Sequence, residues 1–167
     1  PVLFNKTDSG YTPWPRNSPN VYRGLTNVTV AVRDSVNTVT VRILEQLGVN
    51  ASFDFLYNKV GMRSLISSLT MADGSVVTDR GIAALALGQQ NYGVTVREMT
   101  GAYTALANDG TYSAPRSYYK VTDSRGNVLL ERESLQTEAL SPSTAALTTV
   151  MLQNVVSSGT AASITLD

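Results

Sequence analysis

The sequence predicts an α+β fold that is predominantly helical and carries one β-hairpin at about residues 117–131. Apolar residues recur at helical spacing after residue 95 and again after residue 142, which is typical of amphipathic helices. A polar run at residues 123–127 separates two short segments and favours a tight turn between strands. The 167 residues are enough for one domain with a core of its own.

The composition excludes several kinds of function. Thirteen basic residues balance thirteen acidic ones, so the chain lacks the surplus of positive charge that nucleic-acid binding requires. It has no cysteine and no histidine, which removes thiol catalysis, the commonest general base and the commonest metal ligand. No apolar run approaches the ~18 residues of a membrane-spanning helix. We expect no metal and no cofactor, and any catalysis must use serine, threonine, tyrosine, lysine or carboxylates.

Proline shapes the first part of the chain. Residues 1–24 hold four of the six prolines and are expected to form an extended loop, because proline fixes φ and removes an amide donor. Residues 25–167 are expected to form a helical region with the hairpin. The chain starts at Pro1 without a methionine and stops at Asp167, so the working hypothesis is that residues 1–167 are the central fragment of one longer domain.

Two helices are predicted in succession after this loop. Asn27 is a favourable N-cap for a short helix, which is interrupted at residues 35–37. A second helix then runs to Leu47, with Gly48 as its predicted stop. The β-branched residues 38–41 on their own favour a strand. The i, i+4, i+8 spacing of the apolar residues and the glycine stop favour a helix instead.

The stretch after the second helix carries weaker patterns. Ser52 is predicted to cap a third helix that ends before Gly61. Residues 62–80 show no clear periodicity. A short apolar segment at residues 81–87 precedes a polar loop at residues 89–93, which is either an ordinary solvated loop or part of the lining of a cleft.

The most regular helical pattern begins at Thr95. Thr95 and Glu98 match a capping box, in which each side chain satisfies an orphan amide of the first turn. Met99 and Tyr103 lie on the apolar stripe of this helix and are expected to be in the core. The stripe ends at a turn signal that begins with Asn108.

A last long helix is predicted from a second strong start signal. Ser141 is a good N-cap, and Pro142 is favourable at the first helical position. Leu147 and Val150 belong to the apolar stripe of this helix, and Gly159 closes it.

A short serine motif indicates a catalytic site only when the predicted structure around it fits. Without histidine or cysteine, a serine nucleophile requires lysine or another base. Ser117 and Lys120 match Ser-x-x-Lys, but they lie on a predicted strand, where residues i and i+3 project to opposite faces. We therefore reject them as a catalytic pair. Ser-x-Asn occurs twice, at residues 18–20 and 35–37, and only the second lies between two predicted helices.

A series of motifs surrounds residues 35–37. From Tyr22 to Gly48 the chain has a tyrosine and a glycine, a short helix, Ser-x-Asn and an apolar helix that closes on Leu-Gly. This order resembles the transpeptidase domains of penicillin-binding proteins, and most of all those of bifunctional peptidoglycan synthases. Further segments agree in the same order over about residues 20–160, namely 86–88, 93–95, 98–100, 102–103, 106–112, 121–126 and 140–160. The chain departs from the family at residues 29–30, usually a charged pair, and at Val96, often a proline.

The resemblance implies roles for two residues. In this family the serine of Ser-x-Asn hydrogen-bonds the lysine of the nucleophile motif and helps to relay its proton. The asparagine amide binds the substrate backbone and orients the same lysine. Ser35 and Asn37 are therefore the candidate catalytic residues, and Asn37 is also the candidate substrate-binding residue. The alternative, from local chemistry alone, is that both residues only break one helix and cap the next.

The resemblance also implies an activity for the parent protein. It would be a serine D,D-transpeptidase that cross-links peptidoglycan stem peptides through an acyl-enzyme and is acylated by β-lactams. It would need no cofactor and would act on the outer face of the bacterial cell membrane, with its anchor outside this chain. An inactive scaffold or binding module and a β-lactamase-type hydrolase are the alternatives.

Two motifs of the family are missing from this chain, and their absence bears on the activity expected of the chain alone. By resemblance the nucleophile motif would precede residue 1 and Lys-Thr-Gly would follow residue 167. The chain would then be the helical part of a penicillin-binding/serine β-lactamase-like domain whose central sheet is largely missing. We expect it to be inactive alone, to need the flanking segments of the same domain, and to self-associate through uncovered apolar surface.

Overall fold

The computed structural model describes residues 3–7 and 10–164. Six α-helices occur in that part of the chain, and a π-helical turn at Phe55–Lys59 continues the third of them. The helices are α1 (Val28–Arg33), α2 (Asn37–Leu47), α3 (Val49–Asp54), α4 (Ile82–Leu87), α5 (Val96–Ala107) and α6 (Pro142–Ser158). None of these helices is both long and apolar enough to cross a membrane.

The strands form four separate antiparallel pairs. The pairs are β1 (Leu3–Thr7) with β2 (Gly10–Trp14), β3 (Leu69–Thr70) with β4 (Val76–Val77), β5 (Thr111–Ser113) with β8 (Gln136–Glu138), and β6 (Lys120–Thr122) with β7 (Val128–Glu131). No sheet in the described ranges has more than two strands. The expected fold, predominantly helical α+β with one hairpin at about residues 117–131, is confirmed, and further strand pairs accompany it.

The expectation of an extended loop over residues 1–24 is wrong for residues 3–7 and 10–14, whereas residues 15–24 form neither helix nor strand. β1 and β2 pair in register, with Phe4 opposite Pro13 and Leu3 opposite Trp14. Proline is tolerated in a strand that has a free edge, and each strand of a two-stranded pair has one. The prolines therefore restrict this segment without excluding a sheet.

Helix boundaries follow the sequence signals closely for α1 and α2. The Asn27 side chain accepts a hydrogen bond from the backbone amide of Val30 at 2.8 Å and so caps α1. The β-branched run at residues 38–41 is helical, because α2 packs against α4 and buries Val41 and Leu44 there. Tertiary burial has overridden a weak local preference.

The prediction that Ser52 caps the third helix is wrong. α3 begins at Val49, directly after Gly48, and Ser52 lies inside the helix with its amide donating to the carbonyl of Gly48 at 3.1 Å. Gly48 has a φ of +90°, a conformation that suits glycine. This residue ends α2 and starts α3 at once, so no separate cap is needed.

The core lies where α3, the π-helical turn and α5 meet. Its buried members are Phe53, Val60, Met62, Leu65 and Ala105. The capping box at the start of α5 is confirmed, and Glu98 also accepts a hydrogen bond from the Ser64 amide at 2.9 Å. One side chain therefore both caps a helix and holds the 62–65 segment beside it.

Several large side chains on the apolar stripes of α5 and α6 are exposed, so the expected burial of Met99 and Tyr103 is wrong. Met99 is 42% exposed and Tyr103 55% exposed. On α6, Leu147 is 67% exposed and Val150 54% exposed. The small residues Gly101, Ala105 and Ala145 are buried instead. A helical stripe shows which residues share a face, whereas the packing of neighbouring elements decides which face is covered.

The polar loop at residues 89–93 is held by a buried carboxylate. Asp79 is 0% exposed and accepts hydrogen bonds from the backbone amides of Ile66 and Asn91, both at 2.8 Å, and from the Asn91 side chain at 2.7 Å. Burial by itself would raise the pKa of Asp79, but these N–H donors favour the charged form and hold the pKa below its ordinary value. The loop is thus a fixed part of the fold.

Candidate functional site

The turn between α1 and α2 has a specific helix-ending geometry. The Val36 amide donates to the carbonyl of Ala31 at 2.9 Å, and the Ser35 amide donates to the carbonyl of Val32 at 3.3 Å. These two bonds, from the second and first residues after the cap residue Asp34, define a Schellman motif. The motif ends α1 and turns the chain so that α2 can begin two residues later.

Ser35 occupies the position of this motif that usually holds glycine. Its φ is +53°, and only Asp109 shares this property among the described non-glycine residues. The left-handed conformation costs an L-residue ~1–2 kcal/mol. The side chain is exposed and lacks a hydrogen-bond partner among the described residues. A costly backbone conformation at an exposed polar residue favours a functional role for the side chain.

Asn37 is the first residue of α2, and its side chain is half-buried. The side-chain amide donates to the backbone carbonyl of Arg16 at 2.7 Å. The Thr38 amide and hydroxyl both donate to Oδ1 of Asn17, at 3.1 and 3.3 Å. The N-cap of α2 is Val36, which makes no side-chain cap. The Asn17 side chain thus accepts a hydrogen bond from a backbone amide in the first turn of α2. Neither Ser35 nor Asn37 caps this helix.

A cavity of about 300 Å³ lies between the 16–26 segment and this turn. Ser35 lines the cavity, whereas Asn37 is not among the lining residues. Apolar side chains, including Tyr22 and Val39, form part of the wall, and Arg23, Arg42 and Asp34 supply the charges. The structure therefore brings the serine of Ser-x-Asn to a cleft and directs the asparagine amide to the backbone of the neighbouring segment.

A cluster of charged residues surrounds Asp34, which the sequence reasoning did not single out. Its Oδ1 lies 2.7 Å from Nε of Arg33, and its Oδ2 lies 3.0 Å from a guanidinium nitrogen of Arg23. The hydrogen bond from Arg33 is the largest cause that lowers the pKa of Asp34, and Arg23 contributes further. The adjacent Arg33 and Asp34 were a visible signal, but Arg23 lies 11 residues away and no periodicity connects it to the turn.

The end of α6 supports the other side of the turn. The amide of Thr160 donates to the carbonyl of Arg33, the last residue of α1, at 3.1 Å. A Cβ added at Gly159 would overlap this carbonyl oxygen and the Cγ of Arg33. Close approach of the two helix ends thus requires glycine at this position.

The side chains at the turn define what chemistry it allows. A serine hydroxyl can accept and pass on a proton, and a carboxamide offers a donor and an acceptor together. The cavity lining contains no lysine, so a partner base is not supplied there. Ser117 precedes β6 and Lys120 begins it, and neither lines the cavity. Within the described ranges, no group of three or more acidic side chains could hold a metal ion.

Comparison with known proteins agrees with this architecture. Penicillin-binding protein 1A of Clostridium botulinum (strain Langeland) is 37% identical over 159 residues, which are 95% of this chain and 18% of that protein. Penicillin-binding protein 4 of Bacillus subtilis is 30% identical over 87% of this chain and 22% of its own length. The chain therefore spans about a fifth of the curated relatives that it matches.

Solved structures show the same fold at lower sequence identity. Penicillin-binding protein A of M. tuberculosis, in an imipenem acyl-enzyme complex, matches with a TM-score of 0.66 and 15% identity, over 93% of this chain and 37% of that one. The D,D-transpeptidase domain of a peptidoglycan glycosyltransferase from Eggerthella lenta matches with a TM-score of 0.62 and 18% identity, over 98% and 44%. The family model of the penicillin binding protein transpeptidase domain covers residues 3–166. The chain forms part of a transpeptidase domain, and it therefore belongs to the family of penicillin-binding protein transpeptidase domains.

Proposed function

We propose that this chain is the Ser-x-Asn part of a serine D,D-transpeptidase domain, which cross-links peptidoglycan stem peptides and is acylated by β-lactams. Family membership supports the reaction class, and a relative in the same family is seen as an imipenem acyl-enzyme. The observation that carries the site is Ser35, an exposed serine in a left-handed conformation at the edge of a cavity. A catalytic role of the hydroxyl would explain why this residue is serine in spite of the strained backbone.

The proposed reaction is acyl transfer in two steps. A serine outside this chain attacks the carbonyl carbon between the two terminal D-alanines, and the amide bond breaks as a proton passes to the departing D-alanine. The amine of a neighbouring strand then attacks the ester, and the serine hydroxyl is regenerated. Ser35 relays the proton of the lysine base next to the nucleophile. The side-chain nitrogen of Asn37 donates to the carbonyl of Arg16, and its carbonyl oxygen, which accepts no hydrogen bond from the described residues, is available to the lysine or to the substrate backbone.

The proposal extends to the surroundings of the protein. The parent acts on the outer face of the bacterial cell membrane, where peptidoglycan lies. The 167-residue chain has neither the nucleophile nor the Lys-Thr-Gly strand that the reaction needs, so it is inactive alone and depends on the flanking segments of its domain. The apolar side chains exposed on α5 and α6 lead the isolated chain to self-associate.

Intact-mass measurement of the full-length protein before and after penicillin tests this function. A stable gain of one penicillin mass is expected for the full-length protein and no gain for the 167-residue chain. A folded full-length protein without any gain would overturn the transpeptidase assignment and leave a scaffold module. Rapid turnover of the β-lactam without a stable adduct would identify a β-lactamase-type hydrolase instead.

The same assay tests the two site residues. We expect Ser35→Ala and Asn37→Ala to lower the acylation rate by about 100-fold, the scale of a lost proton-transfer partner. Ser117→Ala is the matched control, because that exposed serine lies outside the cavity and should acylate normally. Equal rates for Ser35→Ala and Ser117→Ala would remove Ser35 from the mechanism.

A further inference from the structure

Three contacts connect the 16–26 segment to the turn that carries Ser35. Asn37 donates to the carbonyl of Arg16, and Thr38 donates to the side chain of Asn17. The third contact is an ion pair between Arg23 and Asp34. The first two hold the start of the segment. The ion pair joins Arg23 to the turn across the cavity, and the segment then enters α1 at the Asn27 cap.

The carboxylate of Asp34 lies between two guanidinium groups. Arg33 donates from Nε to Oδ1 at 2.7 Å and from a terminal nitrogen to Oδ2 at 3.0 Å. This is a bidentate ion pair between neighbouring residues at the end of α1. Arg23 donates to Oδ2 at 3.0 Å from the other element. A carboxylate that accepts three N–H groups from two directions has little freedom to rotate.

The position of Asp34 in the chain gives this arrangement its consequence. Asp34 is the cap residue of α1 and immediately precedes Ser35, so its backbone sets the direction in which the left-handed residue leaves the helix. Two elements meet at the same point, since the carbonyl of Arg33 also accepts the amide of Thr160. A shift of Asp34 would therefore move Ser35 relative to both the cavity and α6.

We propose that Asp34 is a positioning residue for Ser35. It acts by binding Arg23 and Arg33 and so holding the 16–26 segment across the turn. The inference rests on the proposed function and goes beyond it, because it assigns a specific role to a charge cluster outside Ser-x-Asn. Exposed ion pairs contribute little to the free energy of unfolding, and the Arg23 side chain is largely exposed. The effect is therefore expected in the reaction rate and hardly at all in the melting temperature.

Acylation kinetics of the full-length protein with a chromogenic cephalosporin test the proposal. Asp34→Asn and Arg23→Gln should lower the first-order acylation rate at saturating cephalosporin about five- to tenfold. The apparent dissociation constant of the non-covalent complex should stay the same, and Arg23→Lys should restore most of the rate. Arg125→Gln is the control, because Arg125 is an exposed arginine in the turn between β6 and β7, outside the cavity. This control should acylate at the wild-type rate.

Each contrary result has a distinct meaning. Wild-type rates in Asp34→Asn and Arg23→Gln, or an equal loss in Arg125→Gln, would overturn the positioning role. A lower melting temperature that accounts for the lost rate would do the same. Absence of acylation in the wild type would instead overturn the proposed function.

The contact can also be judged without any activity. Hydrogen–deuterium exchange of the backbone amides reports directly on residues 20–26. In the 167-residue chain, Asp34→Asn and Arg23→Gln should speed the exchange of these amides, and Arg125→Gln should leave it unchanged. Exchange that is identical in all four proteins would show that the ion pair does not hold the segment.

Discussion

Ser35 and Asp109 are the two described non-glycine residues with positive φ, at +53° and +48°. Both follow a helix, α1 in one case and α5 in the other, at points where glycine would be more stable. Their locations differ, because Ser35 lines the cavity and Asp109 does not. At the scale of single residues, this contrast offers a direct way to tell backbone strain from function.

Replacement of each residue by glycine should have opposite functional results. Ser35→Gly and Asp109→Gly should each raise the free energy of unfolding by about 0.5–1 kcal/mol, the relief of strain less the added entropy of the unfolded chain. Chemical denaturation measures this change. Only Ser35→Gly should slow acylation of the full-length protein. Stabilisation with unchanged acylation in Ser35→Gly would mean that the serine is only a turn residue.

Asp79 makes the stability of the fold depend on pH. The pKa of its carboxyl is lower in the folded state than in the unfolded chain, so the folded state binds the proton less tightly. Its contribution is therefore fully present above the unfolded pKa of about 3.9 and is lost as the pH falls through the lower folded value. Asp79→Asn should remove that part of the acid dependence. At pH 7 it should also cost about 1–3 kcal/mol, because the N–H₂ group that replaces one carboxylate oxygen cannot accept the bond which that oxygen receives from Ile66 or Asn91.

Thermal denaturation from pH 7 down to pH 3 checks this expectation. Asp73→Asn is the control for exposure: Asp73 also has a lowered pKa but lies exposed in the β3–β4 turn, where solvent screens its contacts, so its effect on the pH profile should be smaller. A pH profile of Asp79→Asn that runs parallel to that of the wild type would show that the buried carboxylate does not control acid stability.

At the scale of elements, the ends of α1 and α6 hold each other in place. Ala31 on α1 and Ala145 on α6 are buried, and the two helices pack together. The sequence predicted both helices and their caps from local signals at Asn27 and Ser141. The contact between Gly159 and Arg33 joins residues more than a hundred positions apart, and no helical period reveals such a pair.

Gly159→Ala should separate these helix ends. The new methyl group would overlap the Arg33 carbonyl, so we expect a loss of about 1–3 kcal/mol in the free energy of unfolding and slower acylation of the full-length protein. Gly81→Ala is the matched control, because Gly81 has open space around it and caps α4 with an ordinary negative φ. The loss of a favourable N-cap residue and the lower entropy of the unfolded chain nearly cancel, so it should change the stability by less than about 0.5 kcal/mol. Urea denaturation of the two variants distinguishes the cases, and equal stabilities would contradict the close-approach argument.

At the scale of the whole molecule, much apolar surface remains exposed. Met99 and Tyr103 on α5 and Leu147 and Val150 on α6 are each more than two-fifths exposed. The small residues of the same helices face the core. Apolar helix faces of this kind favour association when nothing covers them.

Sedimentation velocity over a range of concentrations should show self-association of the 167-residue chain. The double variant Met99→Gln/Leu147→Gln should sediment as a monomer at concentrations where the wild type does not. Met71→Gln is the control, since that methionine is also exposed but lies between β3 and β4. A wild-type chain that stays monomeric at all concentrations would refute the expectation.

The sequence by itself determined where most helices begin and end, which family the chain resembles and which two residues are the candidates at Ser-x-Asn. These features depend on hydrogen bonds between residues a few positions apart, such as the capping box of Thr95 and Glu98. Only the tertiary structure decided that β1 and β2 pair, that the small face of α5 is buried, and that Asp34 binds Arg23. Those outcomes depend on which elements meet in space, and contacts between distant parts of the chain leave no periodic pattern in the sequence.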